Sequence, residues 1–186
     1  PSNAWTVTRF FPTNDPSSAE CGELKSVERH DGRLTSYSYA FGAYEAHEDP
    51  ALCRFEAGEG RARRTVATEG IVAHPEGIPF RTVRRVSVTD AAGASVLSET
   101  QVCLGGGEYE TVGRTVRYLD AFGRETRAVT SPGVETESQW GCCGLERRVA
   151  ADGRVMTFEY DALRRRVVSR LAGLDAGAYP AQPDRV

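Results

Sequence analysis

Three absences limit what this sequence can be. Lysine is almost missing, because Lys25 is the only lysine among 23 basic residues. We attribute this to a GC-rich coding sequence rather than to selection for arginines that bind anions with two hydrogen bonds. No run of about 18 apolar residues occurs, so we expect no membrane span. Long amphipathic patterns bracketed by helix caps are also missing, so we expect little helix.

The composition is that of a folded protein with no excess of either charge. The 186 residues are 40% hydrophobic and 26% charged, which argues against disorder. The net charge of -3 argues against a general nucleic-acid binder. No charged leader followed by an apolar stretch is visible, so no signal peptide is evident. The chain starts at Pro1 with a strand-like segment close behind, which suggests a piece of a longer polypeptide.

Residues able to carry chemistry are few and scattered. The five cysteines do not form a disulfide pattern, and the three histidines, His30, His47 and His74, are isolated. Neither set has the spacing of metal ligands, and no phosphate-binding loop or nucleophile elbow occurs. We therefore expect no catalysis, metal or cofactor. Cys142 and Cys143 could form a redox pair, but we favour two thiols on opposite faces of a strand end.

Period-two alternation is widespread and predicts strands. Between the alternating runs lie turn signals: Asp31-Gly32, Asp90-Ala91-Ala92-Gly93, Gly105-Gly106-Gly107, Asp120-Ala121-Phe122-Gly123, Ser131-Pro132-Gly133 and Asp152-Gly153. Asp-Gly is typical of two-residue hairpin turns with positive φ, whereas Asp-x-x-Gly equally fits a type I turn followed by a left-handed glycine. The sequence thus predicts an all-β antiparallel meander of hairpins.

We divide the chain into three regions. Residues 1–79 are expected to be a β-rich repeat region with irregular loops, in which residues 44–60 hold a short helix or an excursion. Residues 80–171 are expected to be repeat hairpins. Residues 172–186 contain two prolines and little apolar content, and we expect a flexible tail.

One hairpin sequence occurs twice in the chain. The segment 152–161, DGRVMTFEYD, repeats in softer form as DGRLTSYSYA at 31–40, an offset of 152 − 31 = 121 residues. The segments 118–124 and 160–165 add a pattern of tyrosine, aspartate, two residues, glycine and arginine. Arg164 replaces the glycine in the last unit and Ala40 the aspartate in the first, while Tyr118 stands one position early. A chain that repeats a hairpin is usually a repeat array.

These pairs resemble the YD repeat of bacterial RHS-type proteins, with Tyr160-Asp161 and Gly123-Arg124 as the signature. The segment from Trp140 to Gly144 resembles one that recurs between such units. The resemblance implies a curved or spiralling sheet that is part of a hollow β-shell, as in bacterial toxin complexes and teneurins. It also implies a secreted or cell-surface location.

In such a shell each signature residue would have a structural role. We expect the tyrosines to stack at roughly 4.7–4.9 Å strand spacing and the aspartate to cap its turn. We expect the glycine to take the left-handed dihedral and the arginine to bridge to a carboxylate on the next strand. The signature residues are Asp31, Gly32, Tyr37, Tyr39, Tyr118, Asp120, Gly123, Arg124, Trp140, Cys142, Cys143, Asp152, Gly153, Phe158, Tyr160 and Asp161.

The leading hypothesis is a non-catalytic structural module. Its partners would be neighbouring repeats of the same longer chain and an enclosed effector domain, with no nucleic acid and no membrane span. The alternative is a carbohydrate- or surface-binding adhesin module that uses tyrosine and arginine side chains. The arginines of the run 164–166, with Arg61, Arg63 and Arg64, could bind anions, although a solvated edge explains them equally.

Overall fold

The computed structural model describes residues 4–15, 17–71, 80–105 and 107–172. Thirteen strands account for most of them, and a short 3-10 turn at Pro50–Leu52 is the only helical element in these ranges. The strands are β1 (Thr6–Phe10), β2 (Leu24–Arg29), β3 (Arg33–Glu45), β4 (Arg54–Ala57), β5 (Ala62–Ile71), β6 (Phe80–Thr89), β7 (Ser95–Gly105), β8 (Glu108–Leu119), β9 (Glu125–Thr130), β10 (Val134–Trp140), β11 (Leu145–Val149), β12 (Val155–Tyr160) and β13 (Arg166–Ala172).

The strands pair in chain order as an antiparallel meander. The order runs β1-β2-β3-β5-β6-β7-β8-β9-β10-β11-β12-β13, while β4 pairs only with β3. This confirms the predicted all-β class and the hairpin meander. No helix in the described part of the chain is long and apolar enough to cross a bilayer.

The turn signals lie where the strands reverse. The segment at 31–32 joins β2 to β3, that at 90–93 joins β6 to β7, and that at 120–123 joins β8 to β9. The turns at 131–133 and 152–153 close the next hairpins in the same way. In the turn signal at 105–107, Gly105 ends β7 and Gly107 precedes β8, while Gly106 lies outside the described residues.

The irregular stretch at residues 44–60 is an excursion from the meander. The far end of β3 pairs with β4, from Gly42 opposite Ala57 to Glu45 opposite Arg54. The rest of β3 pairs with β5 over ten residue pairs. Gly42 and Gly60 are needed where these backbones meet, because a Cβ on Gly60 would lie 2.0 Å from the carbonyl oxygen of Gly42.

Two compact units divide the chain, Pro1–Thr115 and Val116–Val186. The first unit holds a small apolar core formed by Cys53, Ala62, Val88, Val96 and Leu97. In the second unit, Val116 is the only buried residue among those described. Of the predicted tail at residues 172–186, only Ala172 is described, and it ends β13. Residues 173–186 lie outside the described part of the chain.

Candidate functional site

The turn at Asp120 shows why its signature residues occur together. One carboxylate oxygen of Asp120 accepts hydrogen bonds from the main-chain N–H groups of Phe122 and Arg124, at 2.9 and 3.0 Å. The other accepts the Nε–H of Arg124 at 2.7 Å. Gly123 has φ 75° and donates to the carbonyl of Asp120 at 2.9 Å. This is a type I turn followed by a left-handed residue.

The electrostatics of this turn favour the ionised aspartate. Hydrogen bonds from the side chain of Arg124 are the main cause that lowers the pKa of Asp120. Desolvation opposes them, and the main-chain donors of Arg124 and Phe122 lower the pKa further. Arg124 therefore pairs within its own turn. Its Nη1 also donates to the carbonyl of Gly141, just past β10, at 3.4 Å. The expectation that it bridges to a carboxylate on the next strand is wrong, because its carboxylate partner is Asp120.

Two further turns repeat this arrangement. Asp161 accepts from the main-chain N–H groups of Leu163 and Arg165, both at 2.9 Å, and from the Nε–H of Arg165 at 2.7 Å. Arg164 fills the glycine slot with φ 61° and is the only non-glycine residue with a positive φ in the described ranges. At Asp90 the same two main-chain bonds form without an arginine.

The two Asp-Gly hairpins place the aspartate differently. Gly153 donates to the carbonyl of Ala150 at 2.9 Å, so Asp152 is the third residue of its turn rather than the first. Asp31 occupies the same place in a turn closed by Gly32 and the carbonyl of Arg29 at 3.0 Å. Only the glycines have positive φ, 78° and 79°. The predicted two-residue turn is therefore wrong, because both are type I turns with a left-handed glycine.

Three hairpins share an aromatic brace, defined here as a ring N–H or O–H bonded to a main-chain carbonyl 15 residues earlier. The pairs are Tyr39 to Leu24 at 3.0 Å, Trp140 to Glu125 at 2.7 Å, and Tyr160 to Leu145 at 3.0 Å. Each acceptor is the first residue of its strand, β2, β9 or β11.

An arginine rather than another tyrosine covers the ring of Tyr39. The guanidinium of Arg63 lies 4.6 Å from the ring centre of Tyr39, while Phe11 meets that ring edge-on. At Tyr39 the predicted tyrosine ladder is therefore not seen. Burial raises the pKa of Tyr39, and the nearby carboxylate of Glu23 adds to this, because both disfavour the phenolate.

Two other signature aromatics, Tyr118 and Phe158, also have an arginine near the ring. Arg127 lies 4.9 Å from the ring centre of Tyr118, and Arg166 lies 5.5 Å from that of Phe158. Tyr37 is half-buried on β3, two residues before Tyr39 and on the same side of the strand. Within the run 164–166, one arginine forms the turn, one pairs with Asp161 and one covers a ring, so the run is not a single anion patch.

A groove adjoins the middle brace and is lined by two aromatic residues of the second unit. This Trp140 groove has a volume of about 440 Å³ and is lined by Phe122, Arg124, Trp140, Gly141 and Cys142. Arg124 lies 5.0 Å from the ring centre of Phe122 and 5.4 Å from that of Trp140. Phe122 is 82% exposed. The indole N–H is used in the brace, so the groove offers ring faces and apolar edges.

The adjacent cysteines lie in a turn beside this groove, and not on a strand. The N–H of Gly141 donates to the carbonyl of Gly144 at 2.9 Å, closing the turn around them. Their sulfur atoms are 3.0 Å apart, with Cys142 exposed and Cys143 half-buried. The hydrogen bond to Cys142 raises the pKa of Cys143. The prediction that they point to opposite faces of a strand is wrong.

The first unit holds a pocket of about 410 Å³ on the face that carries Val88 and Leu97. Two of its charged residues, Glu99 and Arg114, lie close to each other. Arg114 donates to the carbonyl of Cys53 and lies 3.6 Å from the carboxylate of Glu99. His47 accepts the main-chain N–H of Asp49 in a turn, and His74 lies outside the described residues.

No protein-family model and no curated protein matches this chain.

Proposed function

We propose that this chain is a non-catalytic structural module of an RHS-type YD-repeat protein. It would build part of a β-shell that encloses or presents an effector or surface domain, and it would act in a secreted or cell-surface protein. Its partners would be neighbouring repeats of the same longer chain and the enclosed domain. The recurrence of one turn geometry and one brace supports a repeat whose signature residues hold hairpins together.

The sparse core of the second unit carries this proposal. Among residues 116–172, Val116 alone is buried, although five strands beyond β8 are formed. Large apolar side chains are instead exposed: Phe122 82%, Leu163 72%, Val167 57% and Val134 45%. A sheet with so little buried surface is marginal by itself. It fits a wall whose faces and edges are covered by other parts of a longer protein.

Hydrogen exchange and limited proteolysis test this dependence. In the isolated chain we expect the amides of β9 to β13 to exchange faster than those of β5 to β7, which surround the core of the first unit. Extending the chain with its adjoining hairpins should slow exchange in β9 to β13. A compact, protease-resistant monomer in which both units are equally protected would contradict the proposal.

A second function, glycan binding by an adhesin module, is favoured by the Trp140 groove. Exposed aromatic faces beside an arginine suit the apolar faces of a sugar ring. Glycan-array binding should be lost in Phe122→Ala. Leu163→Ala is the matched control, because Leu163 occupies the same turn position and is similarly exposed but does not line the groove. No binding by the unaltered protein, or equal loss in both variants, would reject this function.

A further inference from the structure

The turn that carries Cys142 and Cys143 places two thiols in direct contact. Their sulfur atoms lie 3.0 Å apart and share a hydrogen bond. Cys142 is exposed and also lines the Trp140 groove, so a small molecule in solution reaches it. Neither thiol is bound to another cysteine. An accessible thiol with a second thiol at its side is the arrangement of an attacking and a resolving cysteine.

The residues around the pair hold this turn in place. A Cβ on Gly141 would lie 1.7 Å from a carboxylate oxygen of Glu146. A Cβ on Gly144 would lie 2.5 Å from the hydroxyl of Tyr160, the same hydroxyl that braces β11. The signature tyrosine thus packs against the cysteine turn. A side chain at either flanking position would displace Glu146 or Tyr160, so the two glycines fit the close packing of this turn at the tip of the β10–β11 hairpin.

We propose that Cys142 and Cys143 form a reversible modification site for low-molecular-weight disulfides such as oxidised glutathione. The thiolate of Cys142 attacks one sulfur of the disulfide, which forms a mixed disulfide and releases one thiolate. The thiolate of Cys143 then attacks the sulfur of Cys142 and displaces the second thiolate. The protein loses two electrons and two protons, and the small disulfide is reduced to two thiols.

The bond formed this way is easily reversed. Consecutive Cα atoms are about 3.8 Å apart, whereas disulfide-bonded residues usually have Cα atoms roughly 4.4–6.8 Å apart. A disulfide between neighbours is therefore strained, and strained, exposed disulfides are the labile ones. Because Cys142 lines the Trp140 groove, oxidation alters one wall of that groove.

Peptide mapping of the intact chain tests the site. The folded protein is equilibrated with glutathione at graded ratios of oxidised to reduced form, and free thiols are then alkylated. We expect the peptide that contains residues 142 and 143 to lose both alkylation sites and two hydrogen atoms in mass, without a glutathione adduct. Excess reduced glutathione should restore both sites. In Cys143→Ser the reaction should stop at a glutathione adduct on Cys142.

Four results would overturn the proposal. The first is a stable glutathione adduct on Cys142 of the unaltered protein, and the second is a bond from either residue to Cys21, Cys53 or Cys103. The third is two free thiols under conditions that modify Cys142 in Cys143→Ser. The fourth is an unmodified Cys142 in that variant. Because the main measurement uses the unaltered chain, it does not depend on how any variant folds.

Discussion

Removing the hydroxyl of Tyr39 tests the aromatic brace directly. The hydroxyl donates to the carbonyl of Leu24 at 3.0 Å across the β2–β3 hairpin. Tyr39→Phe keeps the ring on Phe11 and under Arg63, so the change isolates one hydrogen bond. Such a bond contributes about 0.5–1.5 kcal/mol net to the free energy of unfolding. For a chain of this size, we expect Tm to fall by roughly 2–4 °C per kcal/mol.

Tyr37→Phe is the matched control. Tyr37 lies on the same strand and the same side as Tyr39, and its hydroxyl has no hydrogen-bond partner among the described residues. Its loss should change the free energy of unfolding by less than about 0.5 kcal/mol. Urea denaturation of the three proteins, with Tm as a second measure, gives the comparison. Equal effects of the two substitutions would refute the role of the brace.

The raised pKa of Tyr39 adds a dependence on pH with a defined sign. Below the ordinary tyrosine pKa of 10.0, the hydroxyl is protonated in both the folded and unfolded chains, and its full stabilisation is present. Above that value the unfolded chain ionises first, so stability falls as the pH rises through the raised pKa of the folded state. Tyr39→Phe should therefore show a smaller loss of stability above pH 10 than the unaltered protein.

Three further predictions concern the turns. Because the pKa values of Asp120 and Asp161 are lowered, their full stabilisation of the folded chain is present above the ordinary value of 3.8 and is lost as the pH falls through the lowered values. In urea denaturation from pH 7 to pH 2, Asp120→Asn should therefore show a smaller fall of the unfolding midpoint with acid than the unaltered protein. An equal fall in both proteins would contradict the assignment. Gly123→Ala should lower the free energy of unfolding by about 1–2 kcal/mol, because only the φ of 75° opposes a methyl group there. Gly144→Ala should lower it more, because Tyr160 also obstructs the methyl group. The reverse order in urea unfolding would count against this. Arg164→Gly should raise Tm by relieving φ 61°, and a lower Tm would be the opposite of what we expect.

The sequence predicts the hairpins well because two short-range signals coincide. Alternation places Val86 and Val88 on one face of β6, and Asp-x-x-Gly ends the strand. The β4 excursion is harder to predict, because it depends on the close approach of Gly42 and Gly60. Asp-Gly is ambiguous for another reason, since the same two residues fit a two-residue turn and the last half of a type I turn with a left-handed glycine.

The candidate site is predicted less completely than the fold. Sequence reasoning favours a strand end for the cysteine pair, although the flanking glycines Gly141 and Gly144 indicate the turn that the structure shows. The brace joins residues 15 apart, and this separation predicts a contact only when the register of the hairpin is known. One clue was present, because Leu24 and Leu145 repeat at the same 121-residue offset as Tyr39 and Tyr160. Membership of the RHS-type family stays a prediction.

The constant interval between acceptor and donor in the brace restricts how this chain can vary in length. Side chains alternate between the two faces of a strand, so inserting one residue between Leu145 and Tyr160 would turn the ring to the wrong face. Two added residues would keep the face but move the hydroxyl by one step along the strand, beyond reach of its carbonyl. The brace therefore fixes the number of residues between its donor and its acceptor. Insertions and deletions are compatible with it only outside the braced hairpins.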